Sequence, residues 1–165
     1  MSTAITVRPV RPQDLPEIAA LHARVFGPGR FARTAYRVRE GRSATSRYCL
    51  VAVRGARLIA AVQFTPVRIG TTASALLLGP LAVDPEYAGQ GHGRRLIAAG
   101  LDAARKDGVR LVMLVGDEPY YGRFGFRPVP PGQIRLPGPV DPARLLAAEL
   151  EPGALNAFTG LVVAE

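Results

Sequence analysis

Apolar and polar positions along the chain follow two periods, and the switches between them mark the elements. Ile5-Thr6-Val7 alternates with polar neighbours and reads as a first strand ending at Pro9. Arg11-Pro12-Gln13-Asp14 opens a helix whose apolar side carries Leu15, Ile18, Ala19, Leu21, His22 and Val25, and Gly27-Pro28-Gly29 stops it. Residues 31–40 read as a second short helix with Phe31, Ala35 and Val38 on one side, followed by a loop over 41–46. Residues 48–53 and 58–67, joined by a turn at Arg54-Gly55-Ala56, read as a β-hairpin.

The longest apolar run comes next. Leu76-Leu77-Leu78 and Leu81-Ala82-Val83, interrupted only by Gly79-Pro80, suit a strand buried on both faces. Pro80 cannot donate to a ladder, so it belongs at a bulge or where the strand parts from a neighbour. A turn-rich segment, residues 84–88, leads to Gly89, Gly91 and Gly93 at alternate positions. A helical period then places Leu96, Ile97, Leu101 and Ala104 on one face, with Gly108 placed to end it. Residues 109–115 read as a further strand, so strand, helix and strand make a right-handed parallel crossover. A short turn or helix over 120–124, a strand starting at 126–129, a Pro/Gly-rich loop over 130–142, a short helix over 142–150 and a last strand over 160–164 complete the expected elements. No internal repeat is present.

Composition narrows the class. At 165 residues with 48% hydrophobic and 21% charged content, the chain is expected to form a single domain over 1–165. Too little chain follows the Pro/Gly-rich loop to build a second core. No apolar run approaches a bilayer's thickness, and the first residues lack the order of a signal peptide. The one cysteine, Cys49, reads as a small core residue and excludes an intrachain disulfide, so a cytoplasmic setting is expected. The net charge is +8, but the arginines are spread from Arg8 to Arg144 without a basic block or aromatic platform. That spread favours a compositional bias over a nucleic-acid face. His22 and His92 are far apart and no Cys/His cluster exists, so no metal site is expected. His22 reads as a packed or surface histidine.

Chemistry gathers at the glycines. A strand, a glycine loop and a helix N-terminus make an anion cradle, because the first helical N–H groups lack internal partners and the helix dipole is positive there. Arg94 and Arg95 sit unfavourably in a first helical turn unless a polyanion lies over them. A Walker A loop requires a lysine after its last glycine, and the only lysine is Lys106. A dinucleotide fingerprint starting at Gly91 fails at Leu96.

The segment Ala88-Gly89-Gln90-Gly91-His92-Gly93 instead resembles the acyl-CoA loop of the GNAT family of N-acetyltransferases, Gln/Arg-x-x-Gly-x-Gly/Ala after an apolar strand. Both glycines match, while Ala88 stands where the family has Gln or Arg. Downstream, Pro119-Tyr120-Tyr121-Gly122-Arg123-Phe124-Gly125-Phe126 is similar to the family's Tyr-x-x-x-Gly-Phe ending, with Tyr121 at the tyrosine position. The resemblance spans roughly residues 48–129. It implies an α/β fold with a mixed, mostly antiparallel twisted sheet flanked by helices and a splayed central strand pair. It also implies acetyl-CoA as cosubstrate, held by Leu81, Ala82, Val83, Gly89, Gln90, Gly91, His92, Gly93 and Arg94, and direct acetyl transfer to a primary amine. His92 is expected to contribute its backbone amide, with an exposed ring.

Amine acetylation needs a neutral amine, a donor to the developing oxyanion and a proton for the leaving thiolate. Tyr121, by its motif position, is the expected acid, with Tyr120 a weaker substitute. A backbone N–H near Val83 would serve the oxyanion, as the resemblance implies. Asp117 and Glu118 lie near the end of the neighbouring strand as candidate bases, beside the alternatives of loop capping, solvation or a water relay. The arginines of residues 30–47 would border the acceptor pocket in this family. The expected partner is a small-molecule or peptide amine, and a homodimer is left open. Two rival functions are a non-catalytic acyl-CoA sensor or regulatory module and a basic RNA- or ribosome-associated protein.

Overall fold

The computed structural model describes residues 4–27, 38 and 46–165. The helix expected over 31–40 therefore lies outside the described residues, apart from Val38. Nine strands among the described residues share one sheet, in the order β1 (Ile5–Pro9), β2 (Leu50–Arg54), β3 (Arg57–Ile69), β4 (Thr72–Val83), β5 (Leu111–Val115), β8 (Leu145–Glu149) and β6 (Arg127–Pro128). β9 (Gly160–Ala164) pairs with the far end of β3 and with β7 (Ile134–Arg135). Along the main path, only β4 and β5 run parallel. The helices with described bounds are α1 (Leu15–Phe26), α2 (His92–Lys106) and the one-turn α3 (Glu118–Tyr121).

The strand periodicity divides the core. On one face, Leu76 and Leu78 of β4 and Val112 and Leu114 of β5 pack with Leu96, Ile97, Leu101 and Ala104 of α2. On the other, Ala75, Leu77, Leu111 and Met113 join Phe158 and Val162 from the C-terminal segment. Leu21 of α1, fully buried, covers Val51, Leu58, Ala61 and Ala82 farther along that second face. Each such leucine contributes about 1.5–3 kcal/mol by leaving water. α2 lies close to the sheet because Gly100 has no side chain; the Phe64 ring occupies the place where its Cβ would stand.

α1 is fixed at its start by charge. Arg8 Nη1 and Nη2 donate to Asp14 Oδ2 and Oδ1 at 2.7 and 2.9 Å, and the Arg11 N–H donates to Oδ2 at 2.7 Å. The Arg8 hydrogen bond foremost, against the cost of burial, lowers the Asp14 pKa to about 2.

Two segments differ from expectation: the stretch read as a loop over 130–142 contributes strand β7, and one expected helix does not form. Residues 142–150 do not form a helix: a short 3₁₀ turn, Pro142–Arg144, leads into strand β8. Leu145 and Ala147 enter one apolar cluster, and Leu146 and Ala148 the other. A segment filling both sides of a sheet between β5 and β6 follows its neighbours rather than the helix propensity of Leu and Ala.

Candidate active site

The site begins with an irregularity in β4. Val62 pairs with Leu81 and Phe64 with Leu78, so Gln63 alone faces both Gly79 and Pro80. This bulge is where the missing N–H of Pro80 belongs. On its other edge, β4 pairs with β5 only through Ala75, Leu76 and Leu77. From Leu78 to Val83 it parts from β5, which continues to Val115 in partnership with β8. The two central parallel strands thus open into a wedge, along which Leu81, Ala82 and Val83 have no β5 partner.

Asp84 anchors the chain leaving that wedge. Its buried carboxylate accepts the Glu86 N–H at 3.0 Å, Arg57 Nη2 at 3.0 Å and Arg24 Nη2 at 3.4 Å. The Glu86 N–H and then Arg57 hold its pKa below the ordinary carboxylate value, against burial. The turn is thereby tied to both β3 and α1 before the glycine loop starts.

Gly91 caps α2 at φ +84°, a left-handed conformation that a side chain would strain. Gly93 sits inside the first turn, where a Cβ would lie 3.3 Å from Tyr120 Oη, 3.4 Å from Leu81 Cδ2 and 3.5 Å from Val83 Cγ2. The glycine therefore lets the helix start approach Tyr120 and β4 closely. A cavity of about 350 Å³ lies here, lined by Val83, Tyr87, Ala88, Gly89, Gly91, His92, Gly93, Arg94, Tyr120 and Arg123. It carries two cations, a helix N-terminus and no carboxylate, a composition suited to a polyanion.

His92 departs from its expected exposure: the ring is buried, 7% exposed, and edge-on to Tyr87 at 6.1 Å between centroids. Its Nε2 meets Gln90 Oε1 at 3.3 Å, and its buried Nδ1 has no hydrogen-bond partner among the described residues. With Gln90 Oε1 as acceptor, Nε2 is the donor in this contact. The aromatic neighbours and the helix N-terminus enclose this ring because residue 92 starts α2.

The structure sorts the remaining sequence candidates. Val83, Gly89, Gly91, His92, Gly93 and Arg94 line the cavity directly. Leu81 packs against Gly93 at the start of α2, and Gln90 contacts His92. Ala82 turns its side chain into the cluster beneath α1, leaving only its backbone to the wedge. Tyr121 is outside the cavity lining: its ring fills the space beside Gly116 at the end of β5 and packs edge-on against Phe126 at 6.0 Å. Asp117 provides no side-chain cap and instead pairs with Arg144 at 3.2 Å. Tyr87 and Arg123 were not singled out in sequence. Arg123 lies within the aromatic motif, but only the turn after α3 brings it to the cavity.

Comparison with known proteins gives this arrangement a family. The acetyltransferase (GNAT) domain profile matches residues 6–129. YhbS, an uncharacterized N-acetyltransferase of Escherichia coli K12, is 34% identical over 152 residues, covering 92% of this chain and 90% of its own. The chain belongs to the GNAT acetyltransferase family. The crystal structure of Escherichia coli YhbS in complex with CoA superposes with a TM-score of 0.83 at 33% identity, covering 100% of this chain and 92% of that one. A GNAT acetyltransferase from Brucella melitensis in complex with acetyl-CoA gives a TM-score of 0.66 at 30% identity, covering 88% and 96%. The mixed, mostly antiparallel sheet and its flanking helices are those of GNAT N-acetyltransferases. Among the described residues, no helix is long and apolar enough to cross a membrane.

Proposed function

We propose that this GNAT protein transfers an acetyl group from acetyl-CoA directly to a primary amine. The observation that carries the proposal is the continuity of the β4–β5 wedge with the carboxylate-free cavity at the start of α2. The helix N-terminus, Arg94 and Arg123 at that cavity fit an extended, phosphorylated group. Relatives holding CoA and acetyl-CoA support the same donor. Bound acetyl-CoA supplies an activated thioester.

The chain's part is binding, orientation and proton handling. Backbone N–H groups from Gly89 to Arg94 receive the phosphates. Leu81, Ala82 and Val83 offer backbone groups to the extended arm, and an N–H near Val83 faces the developing oxyanion. Tyr121, beside the end of β5, holds the proton that the leaving thiolate takes. No dedicated base is assigned: Asp117 is engaged with Arg144, and the ammonium loses its proton through water. The acceptor is a small-molecule or peptide amine. The proposed unit is one domain over 1–165 in the cytoplasm, a setting that the buried free Cys49 suits.

Calorimetric titration with acetyl-CoA, CoA and ATP tests the donor. Micromolar acetyl-CoA binding without comparable ATP binding is expected; a folded sample that ignores CoA overturns the proposal. Turnover on a panel of amines then separates an enzyme from a sensor.

A further inference from the structure

The cavity over the first turn of α2 has a second cationic wall that the glycine loop does not supply. Its two cations, Arg94 and Arg123, face no carboxylate in the lining. The cleft between α1 and the turn after β4 shows the contrast. There Arg24 and Arg57 lie among Glu17, Asp84 and Glu86, and both pair with Asp84. Two cations gathered at the positive end of a helix repel each other and the dipole, an arrangement made favourable by an anionic ligand.

Arg123 is aimed rather than simply exposed. Its guanidinium carbon lies 5.1 Å from the centroid of the Tyr120 ring. The hydroxyl of that same ring stands 3.3 Å from the position of a Cβ on Gly93, within the first turn of α2. Tyr120 therefore carries Arg123 to the end of the helix where the backbone N–H groups open. A guanidinium can rest its face on a ring while its edge makes two parallel hydrogen bonds to phosphate oxygens. A lysine ammonium has no such plane.

We propose that Arg123, stacked on Tyr120, reads the pyrophosphate of the acyl donor from the side opposite the glycine loop. This assignment rests on the acetyl-CoA function given above. It makes Arg123 a donor-specificity residue contributed by the turn after α3, and Tyr120 the residue that positions it.

Titration calorimetry on the full chain tests it with Arg123→Ala and Arg123→Lys, using acetyl-CoA and acetyl-dephospho-CoA at low and high salt. Thermal unfolding of the unliganded variants checks the fold. Arg123→Ala is expected to weaken both donors roughly tenfold at low salt, and the loss should shrink at high salt. Arg123→Lys should recover only part of the affinity. Unchanged affinity overturns the assignment. So does a loss indifferent to salt, which marks packing on Tyr120. A loss confined to acetyl-CoA transfers Arg123 to the 3′-phosphate and overturns the pyrophosphate contact. Wild-type protein that binds neither donor overturns the acetyl-CoA function itself, independently of the variants.

Discussion

Tyr120 and Tyr121 are adjacent in sequence, with ring centroids 4.9 Å apart and planes at 82°. That near-perpendicular arrangement gives them different surroundings. Tyr120 brings its hydroxyl to the first turn of α2, whereas Tyr121 packs at the end of β5. If Tyr121 is the acid, Tyr121→Phe should lower kcat by about 10²- to 10⁴-fold with little change in acetyl-CoA affinity. Tyr120→Ala should instead raise the acetyl-CoA KM, by roughly 2- to 10-fold as Arg123 loses the ring it rests on, with kcat retained. Steady-state kinetics on both variants checks the division; the reverse pattern would make Tyr120 the acid. Gly93→Val places branched methyls where Tyr120, Leu81 and Val83 already crowd. Acetyl-CoA affinity should then fall more than tenfold in a protein whose circular dichroism is unchanged, since valine is acceptable in a helix.

At the scale of elements, α2 and β4 were legible because their patterns are physical requirements. A helix against a sheet needs Leu96, Ile97, Leu101 and Ala104 on one side, and a central strand needs apolar residues on both. Pro80 likewise announced an irregularity in β4, and the bulge lies there. Residues 142–150 misled because Leu145-Leu146-Ala147-Ala148 is apolar throughout, so periodicity cannot distinguish a buried strand from a helix. The site shows the same boundary. Its glycines were readable from spacing, but the approach of Arg123 to α2 and the enclosure of His92 depend on how separate elements meet. Gly100 is another such case: alone it reads as a weak point in a helix, yet it admits the Phe64 ring. Gly100→Ala should destabilise by about 1–3 kcal/mol despite alanine's better helix propensity. Urea unfolding checks this, and unchanged or increased stability would refute the close packing.

At the scale of the molecule, one carboxylate gives stability a defined acid dependence. The folded pKa of Asp14, about 2, lies below its ordinary value of 3.8, so the folded state binds the proton more weakly than the unfolded chain. The stabilisation is present above pH 3.8 and fades as pH falls through about 2. Its full extent is about 2 kcal/mol. Arg8→Met should therefore be less stable than wild type at neutral pH, and the difference should narrow across that acidic window. Chemical unfolding at several pH values measures it; a pH-independent difference would assign the effect to packing.

The wedge has a consequence for association as well as for catalysis. From Leu81 to Val83, β4 has no β5 partner although it lies in the middle of the sheet rather than at its border. Such an edge is a template for any extended chain, including another copy of the protein. The stretch beyond Pro80 is only three residues long, too short a template for a foreign strand to zip along. The opening that admits a narrow ligand thus carries its own protection against self-assembly.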